Sequence, residues 1–271
     1  MPASSPVVLS VPHAGISTLG FESALSSELD VRCDADLFVD RLYGVDAPVI
    51  AGAPTATPVA VPYAVATLSR FVCDMNRHPD DVSPGTVPEH PAPRNADGRG
   101  FVWGVTTTGA PALSRPLRLD EWQARADVHA AYHGVLRGML ARARERFGYA
   151  ILVDGHSMPS VGKIGHKDPG RARADVVPGD REGTSCAPAL SAFVGAHFED
   201  RGYSVAFNDP YKGGFITTHH GQPADRIHAI QIELRRDLYM NETTFAPSPP
   251  GFRRLQTDLE ALLTSLSTLR L

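Results

Sequence analysis

The sequence predicts an α/β fold in which a mostly parallel or mixed sheet carries helices on both faces. Short apolar runs alternate along the chain with longer segments of helical periodicity, and this alternation is typical of a sheet that is covered on both sides. The length of 271 residues lies within the range of a single α/β domain. We therefore expect one domain that spans residues 1–271.

The predicted strands are near-continuous apolar runs, the pattern of strands that are buried on both faces of a sheet. Runs of this kind lie at residues 7–11, 71–73, 149–153, 203–207 and 230–234. Because helical segments separate most of them, we expect mostly parallel neighbours in the sheet.

Helices are predicted at residues 36–43, 121–147, 187–198 and 251–271. The second of these has one face of apolar and aromatic side chains at steps of three and four residues, formed by Trp122, His129, Tyr132, Leu136, Leu140, Ala143 and Phe147. Gly148 follows directly and is expected to end this helix. The last helix has an apolar stripe of leucines, at positions 255, 259, 262, 263 and 266.

Residues 78–118 and 158–186 show neither the apolar runs of a strand nor the three- and four-residue spacing of a helix. Both segments contain many prolines and glycines. Unstructured loops of this length inside a compact domain usually serve as lids or binding loops. We expect them to border a functional site.

Composition restricts the possible partners and the compartment. The net charge of −4 gives no sign of a nucleic-acid or anionic-membrane partner, so a small-molecule ligand is expected. The three cysteines, Cys33, Cys73 and Cys186, are odd in number and lack CxxC spacing, which favours a reducing cytoplasm. We find no membrane-spanning run and no signal peptide in the sequence.

Each predicted strand ends in, or runs into, polar side chains of the kinds that bind ligands or catalyse reactions. These are His13, Asp74, Asn76, Arg77, Asp154, His156, Asn208 and Glu233. In open α/β sheets, ligands bind in a crevice outside the carboxyl ends of the strands. The sequence therefore predicts an active site at that edge of the sheet.

His13 and His156 follow two different strands. Each imidazole could satisfy a backbone group near the surface. Two neutral imidazoles with one carboxylate are, however, a usual ligand set of hydrolytic zinc sites. Asp34 and Asp36 are the candidate carboxylates, although an aspartate at a helix start also serves as a cap. We expect one of them to complete a metal site with the two histidines.

Glu233 lies in the apolar run Ile-Gln-Ile-Glu-Leu, where an unpaired carboxylate is costly to bury. It either pairs with Arg235 or Arg236, or it lies in a cleft with the raised pKa that a general base needs. The histidines expected at the same edge favour the second interpretation.

Arg70, Asn76 and Arg77 surround one predicted strand end. A guanidinium can bind a carboxylate through two parallel hydrogen bonds, and it can stabilise a developing oxyanion. Surface salt bridges would be the simpler explanation. Three such residues at one strand end favour a ligand-binding role.

Seven motifs, in the same order and over nearly the whole chain, resemble the N-formylglutamate amidohydrolase family. They lie at residues 8–15, 34–43, 70–77, 154–158, 183–187, 208–217 and 229–240. This family is similar to the zinc carboxypeptidases and to the aspartoacylase and succinylglutamate desuccinylase group. The resemblance implies a three-layer phosphorylase/hydrolase-like fold and a hydrolytic metal site.

In those relatives, zinc is bound by a histidine, a glutamate three residues later and a distant histidine. His13 and His156 match the two histidines, but Ile16 stands where the glutamate would be. The carboxylate must therefore come from elsewhere, and Asp36 is preferred over Asp34. The implied cofactor is one divalent metal ion, with zinc expected.

The resemblance also implies further roles in the site. Glu233 matches the general base, and Arg70 matches the arginine that polarises the scissile carbonyl. Asn76 and Arg77 match the segment that holds a substrate carboxylate.

The implied reaction is hydrolysis of N-formyl-L-glutamate to L-glutamate and formate, a step of histidine breakdown. Lys212 and Thr217, in a glycine-rich segment, are expected to hold a second substrate carboxylate, unless this segment is an ordinary turn. Residues 93–118 match the family poorly, so the substrate could instead be a different N-acyl amino acid or a γ-glutamyl compound. The sequence is also compatible with a small carboxypeptidase or with a binding protein that lacks catalysis.

Overall fold

The computed structural model describes residues 4–45, 61–94 and 98–271. Its centre is a five-stranded sheet made of β1 (Val7–Val11), β2 (Tyr63–Val65), β3 (Ala150–Met158), β4 (Val176–Gly179) and β5 (Ile227–Arg235). The strand order is β2-β1-β3-β5-β4. All neighbouring pairs are parallel except β4, which runs antiparallel to β5 at one edge. The predicted mostly parallel or mixed sheet is confirmed.

The described residues contain the α-helices α1 (Val39–Leu42), α2 (Leu119–Phe147), α3 (Pro188–Glu199), α4 (Phe215–His220) and α5 (Pro249–Leu266), and 3-10 helices at Glu22–Ala24, Pro223–Asp225 and Arg236–Leu238. One face of the sheet packs against α2, and the other packs against α1, α3 and α5. Helices on both faces confirm the α/β, three-layer class.

The two core clusters alternate along each strand because successive side chains point to opposite faces of a sheet. On β3, Ile151 and Val153 enter the cluster beneath α3 and α5, whereas Leu152 enters the cluster beneath α2. Asp154 and His156 continue the Leu152 series towards the carboxyl end of the strand. The strand therefore presents two polar side chains on the α2 face, beyond the apolar core.

The predicted helices are confirmed, with shifted ends. In α2 the expected face is buried at His129, Tyr132, Leu136, Leu140 and Ala143. Gly148 ends this helix in the left-handed conformation, with φ of 82°, which glycine adopts without a steric penalty. The short helix predicted from residue 36 begins only at Val39, so Asp34 and Asp36 precede it and neither is its N-cap.

Two predicted strands are wrong. Phe71, Val72 and Cys73 are buried, but they lie in a turn in which the Val72 amide donates to the Ser69 carbonyl. The segment 203–207 forms one isolated bridge, between Val205 and β4, rather than a strand. Both runs are apolar because they pack into the core, and burial alone does not require a sheet partner.

β2, α4 and β4 were missed. β2 has three residues, and α4 begins in the glycine-rich segment, for which no helix was predicted. β4 lies within the segment 158–186, which was predicted as a loop. Pro178 and Gly179 weaken the strand signal of β4 in the sequence, but proline is tolerated on an edge strand. None of the helices in the three described ranges combines the length and apolarity that a membrane crossing requires.

Candidate active site

A cavity of about 550 Å³ lies at the carboxyl ends of the central strands. Eight of the nine residues preferred for a role in the site line it, namely His13, Asp36, Arg70, Asn76, Arg77, His156, Lys212 and Glu233. Asp154 and Asn208, which also follow predicted strands, are not among the lining residues. The long loops border it as expected, because Trp103 and Thr107 of the first loop and Gly165 and Lys167 of the second line it.

Three side chains converge at the base of this cavity. His13, Asp36 and His156 are buried, and their potential ligand atoms all lie within 4.8 Å of one another. Asp36 Oδ2 lies 3.5 Å from Nδ1 of His13 and 3.2 Å from Nδ1 of His156. Nδ1 of His13 is buried and has no hydrogen-bond partner among the described residues. One carboxylate oxygen and two ring nitrogens thus point to a common centre.

Each histidine is oriented through its second nitrogen. Nε2 of His13 lies 2.7 Å from Oδ1 of Asp74, and Nε2 of His156 lies 2.9 Å from Oδ2 of Asp154. When Nε2–H donates to a carboxylate, the lone pair lies on Nδ1, which is the arrangement found around histidine ligands of metal ions. The donor set and its outer partners therefore fit a divalent metal ion.

Asp36 is held by its other oxygen. Arg236 Nη2 and Ser157 Oγ donate to Asp36 Oδ1 at 3.0 Å and 3.1 Å. Burial opposes ionisation of Asp36, but its contacts with His13 and His156 and the charge of Arg236 outweigh it and hold the pKa of this carboxyl well below its usual range. Asp36 is therefore ionised, as a metal ligand must be.

Asp34, the second candidate, points to a different group of side chains. It accepts hydrogen bonds from the Thr107 amide, at 2.9 Å, and from the Thr107 hydroxyl, and Lys163 Nζ lies 3.3 Å from it. Asp36 rather than Asp34 therefore meets the two histidines.

Glu233 lies on β5 on the same face as Gln231, opposite His156 in the register of the sheet. Gln231 Nε2 donates to its Oε1 at 2.9 Å. Burial raises the pKa of Glu233 to about 7. A carboxylate with such a pKa can accept and release a proton near neutral pH.

Neither neighbouring arginine forms an ion pair with Glu233, so the pairing interpretation is wrong. Arg236 pairs with Asp36, while Arg235 pairs with Asp175 and Asp237.

Arg70 reaches the cavity and is fixed by Asp74. Its Nη2 and Nε donate to Asp74 Oδ2 at 2.7 Å and 3.3 Å, and its Nη1 donates to the Asp34 carbonyl. The guanidinium lies 4.4 Å from the centre of the Trp103 ring. Since a guanidinium has five N–H donors, two remain for a ligand.

The Asn76 amide fastens α4 to the site. Its Oδ1 accepts from the Ile216 amide at 2.8 Å, and its Nδ2 donates to Gln231 Oε1 and lies 3.3 Å from Nε2 of His156. Arg77, next in sequence, is exposed at the cavity.

The glycine-rich segment contributes differently from expectation. Lys212 lines the cavity, but it pairs with Glu182 at 3.2 Å. Thr217 is fully buried, and its hydroxyl donates to the Gly214 carbonyl. The structure therefore does not bring Thr217 to the ligand space.

Sequence reasoning placed Asp74 and Asp154 at strand ends but did not predict that they, or Arg236, orient the candidate ligands. Asp154 precedes His156 by two positions, and this spacing places both side chains on one face of a strand. That signal was available in the sequence. The contacts of Asp74 with His13 and of Arg236 with Asp36 join distant segments, and no sequence spacing indicates them.

Comparison with known proteins shows the family of this chain. A profile of the N-formylglutamate amidohydrolase family matches residues 5–240. N-formylglutamate deformylase of Pseudomonas putida is 35% identical over 244 residues, which cover 88% of this chain and 83% of that protein. The enzyme of the same name from Pseudomonas aeruginosa is also 35% identical, over 242 residues and the same shares of both chains.

A solved structure agrees as well. The crystal structure of N-formylglutamate amidohydrolase from Ralstonia eutropha JMP134 superposes with a TM-score of 0.82 at 32% identity, over 98% of this chain and 94% of that one. The resemblance detected in the motifs therefore extends to the whole fold. This chain is a member of the N-formylglutamate amidohydrolase family.

Proposed function

We propose that this chain hydrolyses N-formyl-L-glutamate to formate and L-glutamate, with the help of one divalent metal ion. The observation that carries the proposal is the convergence of His13, Asp36 and His156 in one cavity with Glu233. The two deformylases that match most of the chain support the substrate.

His13, through Nδ1, Asp36, through Oδ2, and His156, through Nδ1, would hold the ion. Two imidazoles and one carboxylate are a ligand set that suits zinc in hydrolytic sites. A bound ion supplies Lewis acidity, which lowers the pKa of water and polarises a carbonyl oxygen.

The chain's own residues perform the proton transfers. Glu233 accepts a proton from the attacking water, whose oxygen bonds to the formyl carbon. The C–N bond then breaks, and Glu233 delivers that proton to the leaving amino nitrogen. Its pKa of about 7 suits both steps, because a group that must first accept and then donate works best near the ambient pH.

Arg70 directs its remaining N–H donors at the carbonyl oxygen, where negative charge develops. Asp74 and Trp103 fix the guanidinium, so little reorganisation is needed when the charge appears. A donor of this kind typically contributes about 3 to 4 kcal/mol to the barrier reduction.

The glutamate half of the substrate carries two carboxylates, and the cavity supplies cationic side chains for them. Arg77 is exposed at the cavity next to Asn76, whose amide lies 3.3 Å from His156. We assign this arginine to the α-carboxylate, which is the acid nearer to the amide bond that breaks.

A substrate panel tests the proposal. Purified protein, with its metal content measured, is assayed on N-formyl-L-glutamate, N-formyl-L-aspartate, N-acetyl-L-glutamate and glutamate-containing dipeptides. We expect formate release from the first compound with the highest kcat/KM. Faster turnover of an acetylated compound or a dipeptide would replace the formyl substrate with a different N-acyl amino acid or would indicate a peptidase.

We also propose a cytoplasmic location and a place in histidine breakdown. The three cysteines, Cys33, Cys73 and Cys186, are unpaired, and this supports a reducing compartment. Fractionation of cells that express the tagged chain tests the location.

A further inference from the structure

A turn at the cavity wall holds Arg181 in an unusual backbone conformation. Arg181, Glu182 and Gly183 have φ of 57°, 59° and 82° in succession. Residues other than glycine rarely occupy this left-handed region, and each costs free energy that the surrounding structure must offset. Such an outlier at a cavity suggests a functional position for its side chain.

Two polar side chains hold this turn. Asp180 Oδ1 accepts from the Gly183 amide and from Asn208 Nδ2, both at 2.9 Å. Asn208 Oδ1 in turn accepts from the amides of Asp180 and Glu182, at 3.1 Å and 3.3 Å. The backbone of the turn is therefore fixed by contacts that do not involve the Arg181 side chain.

The Arg181 side chain lies along the glycine-rich segment and lines the cavity. Its Nη1 donates to the Gly213 carbonyl at 3.2 Å, and its own amide donates to the Lys212 carbonyl at 2.7 Å. A Cβ at Gly213, where φ is 107°, would lie 2.5 Å from Thr217 Oγ1 and 3.1 Å from Arg181 Cδ. Glycine at this position leaves room for the arginine.

Cationic side chains around the cavity differ in whether a carboxylate already pairs with them. Arg70, Arg236 and Lys212 are each paired with a carboxylate. Within residues 4–45, 61–94 and 98–271, Arg77 and Arg181 form no ion pair with a carboxylate, although both line the cavity. Each retains donors for an anionic ligand, and a guanidinium matches a carboxylate through two parallel hydrogen bonds.

The two arginines lie on different segments of the cavity wall, as two separate acids on one substrate would require. Arg77 adjoins Asn76, whose amide contacts His156, so this arginine belongs to the side of the candidate metal ligands. Arg181 contacts Gly213 on the glycine-rich segment, which Asn76 holds through Phe215 and Ile216. With Arg77 assigned to the α-carboxylate, Arg181 is the arginine that remains for the γ-carboxylate, the acid farther from the amide bond.

We infer that Arg181 binds the γ-carboxylate of the substrate and thereby selects substrates with a distal acid. This inference rests on the proposed hydrolysis of N-formyl-L-glutamate. It assigns the second acid to Arg181, where the sequence pointed to Lys212 and Thr217.

The test compares three substrates that differ only in their acids: N-formyl-L-glutamate, N-formyl-L-glutamine, and N-formyl-L-glutamic acid α-amide. The main variant is Arg181→Asn, because asparagine tolerates the left-handed backbone. Arg181→Lys keeps the positive charge but cannot form the two parallel hydrogen bonds of a guanidinium. Arg171→Met is the matched control, since it removes a positive charge from an exposed arginine that pairs with Asp209.

We expect Arg181→Asn to lower kcat/KM about 10- to 100-fold on the two substrates that retain the γ-carboxylate, the value of a hydrogen bond to a charged group. Its kcat/KM on N-formyl-L-glutamine stays close to wild type, which also shows that the variant is folded. Arg181→Lys recovers part of the loss, and Arg171→Met changes none of the ratios.

Equal losses of Arg181→Asn on all three substrates would overturn the inference, because a merely structural arginine does not distinguish them. A loss confined to substrates with an α-carboxylate would also overturn it. Wild type could hydrolyse N-formyl-L-glutamate while Arg181→Asn still prefers substrates with the γ-carboxylate as strongly as wild type does. That result would contradict this inference but not the proposed function. A wild type that hydrolyses none of the three would remove the proposed function and the inference together.

Discussion

Nε2 of His13 lies 2.7 Å from Oδ1 of Asp74, and both side chains are buried. The contact leaves Nδ1 as the nitrogen of His13 that faces Asp36. Burial opposes ionisation of Asp74, but the Arg70 guanidinium and His13 outweigh it and hold the pKa of this carboxyl well below its usual range. Asp74 is therefore ionised, and it accepts hydrogen bonds from both His13 in the candidate metal site and Arg70.

Replacing Asp74 by asparagine should weaken metal binding. The neutral amide orients the His13 ring less strongly, and loss of such an outer partner typically costs 10- to 100-fold in metal affinity. Competition with a chelator measures this affinity. Asp81→Asn is the control, because Asp81 lines the cavity but accepts from the His78 amide instead of a ligand. Equal metal affinity in Asp74→Asn and wild type would contradict the assigned orientation.

The matched pair Asp36→Asn and Asp34→Asn separates the two candidate carboxylates. Both aspartates are buried and line the cavity, but only Asp36 meets the histidines. We expect Asp36→Asn to lose the bound metal and its activity, while Asp34→Asn keeps about one metal ion per chain. Elemental analysis of the purified variants gives the result, and thermal unfolding checks that both are folded. Metal loss in Asp34→Asn alone would reverse the assignment.

His220 should make the stability of the protein depend on pH. Its Nε2 lies 2.9 Å from Nδ1 of His133, and burial lowers its pKa to about 4 and that of His133 to about 2. Between pH 6.5 and 4 the unfolded chain therefore binds protons that the folded chain does not, so the free energy of unfolding falls as the pH falls.

We expect His220→Gln to reduce this slope by about 1.4 kcal/mol per pH unit below pH 6, the value for one proton. Urea unfolding between pH 7 and 5 provides the measurement. Parallel slopes in the variant and wild type would show that His220 is protonated in the folded state.

Two adjacent residues of α2 test how this helix packs against the sheet. Leu136 is fully buried against the sheet, whereas Val135 is 54% exposed. Leu136→Ala should lower the free energy of unfolding by about 2 to 5 kcal/mol through lost contacts and a cavity. Val135→Ala should change it by roughly 0.5 kcal/mol or less. Urea unfolding at pH 7 compares them, and similar losses would be inconsistent with the orientation of the helix.

Elements with a strong periodic signal could be predicted from the sequence. The face of α2, the leucine stripe of α5 and the apolar runs of β1, β3 and β5 are all long enough to specify their structure. Residues 71–73 could not be distinguished from a strand, because three buried residues in a turn have the same composition. β4 was missed because Pro178 and Gly179 suppress the strand signal, although its antiparallel pairing with β5 supplies the hydrogen bonds.

Some residues of the candidate site could likewise be predicted from the sequence, and others could not. His13, His156 and Glu233 follow or lie in apolar runs, so their convergence at one edge could be predicted from the strand pattern. Asp36 needed the three-dimensional structure, because its distinction from Asp34 depends on which way each side chain turns. Arg181 was missed because its left-handed backbone depends on Asp180 and Asn208, and sequence patterns do not reveal such contacts.

The central claim is that Glu233 transfers protons beside a metal ion held by His13, Asp36 and His156. Formate release from N-formyl-L-glutamate by wild type and by Glu233→Gln, each with its bound metal quantified, tests it most directly. We expect about one metal ion per chain in both proteins and a loss of kcat of at least about 100-fold in the variant. Full activity in a metal-free wild type, or unchanged kcat in a metal-loaded Glu233→Gln, would contradict the claim.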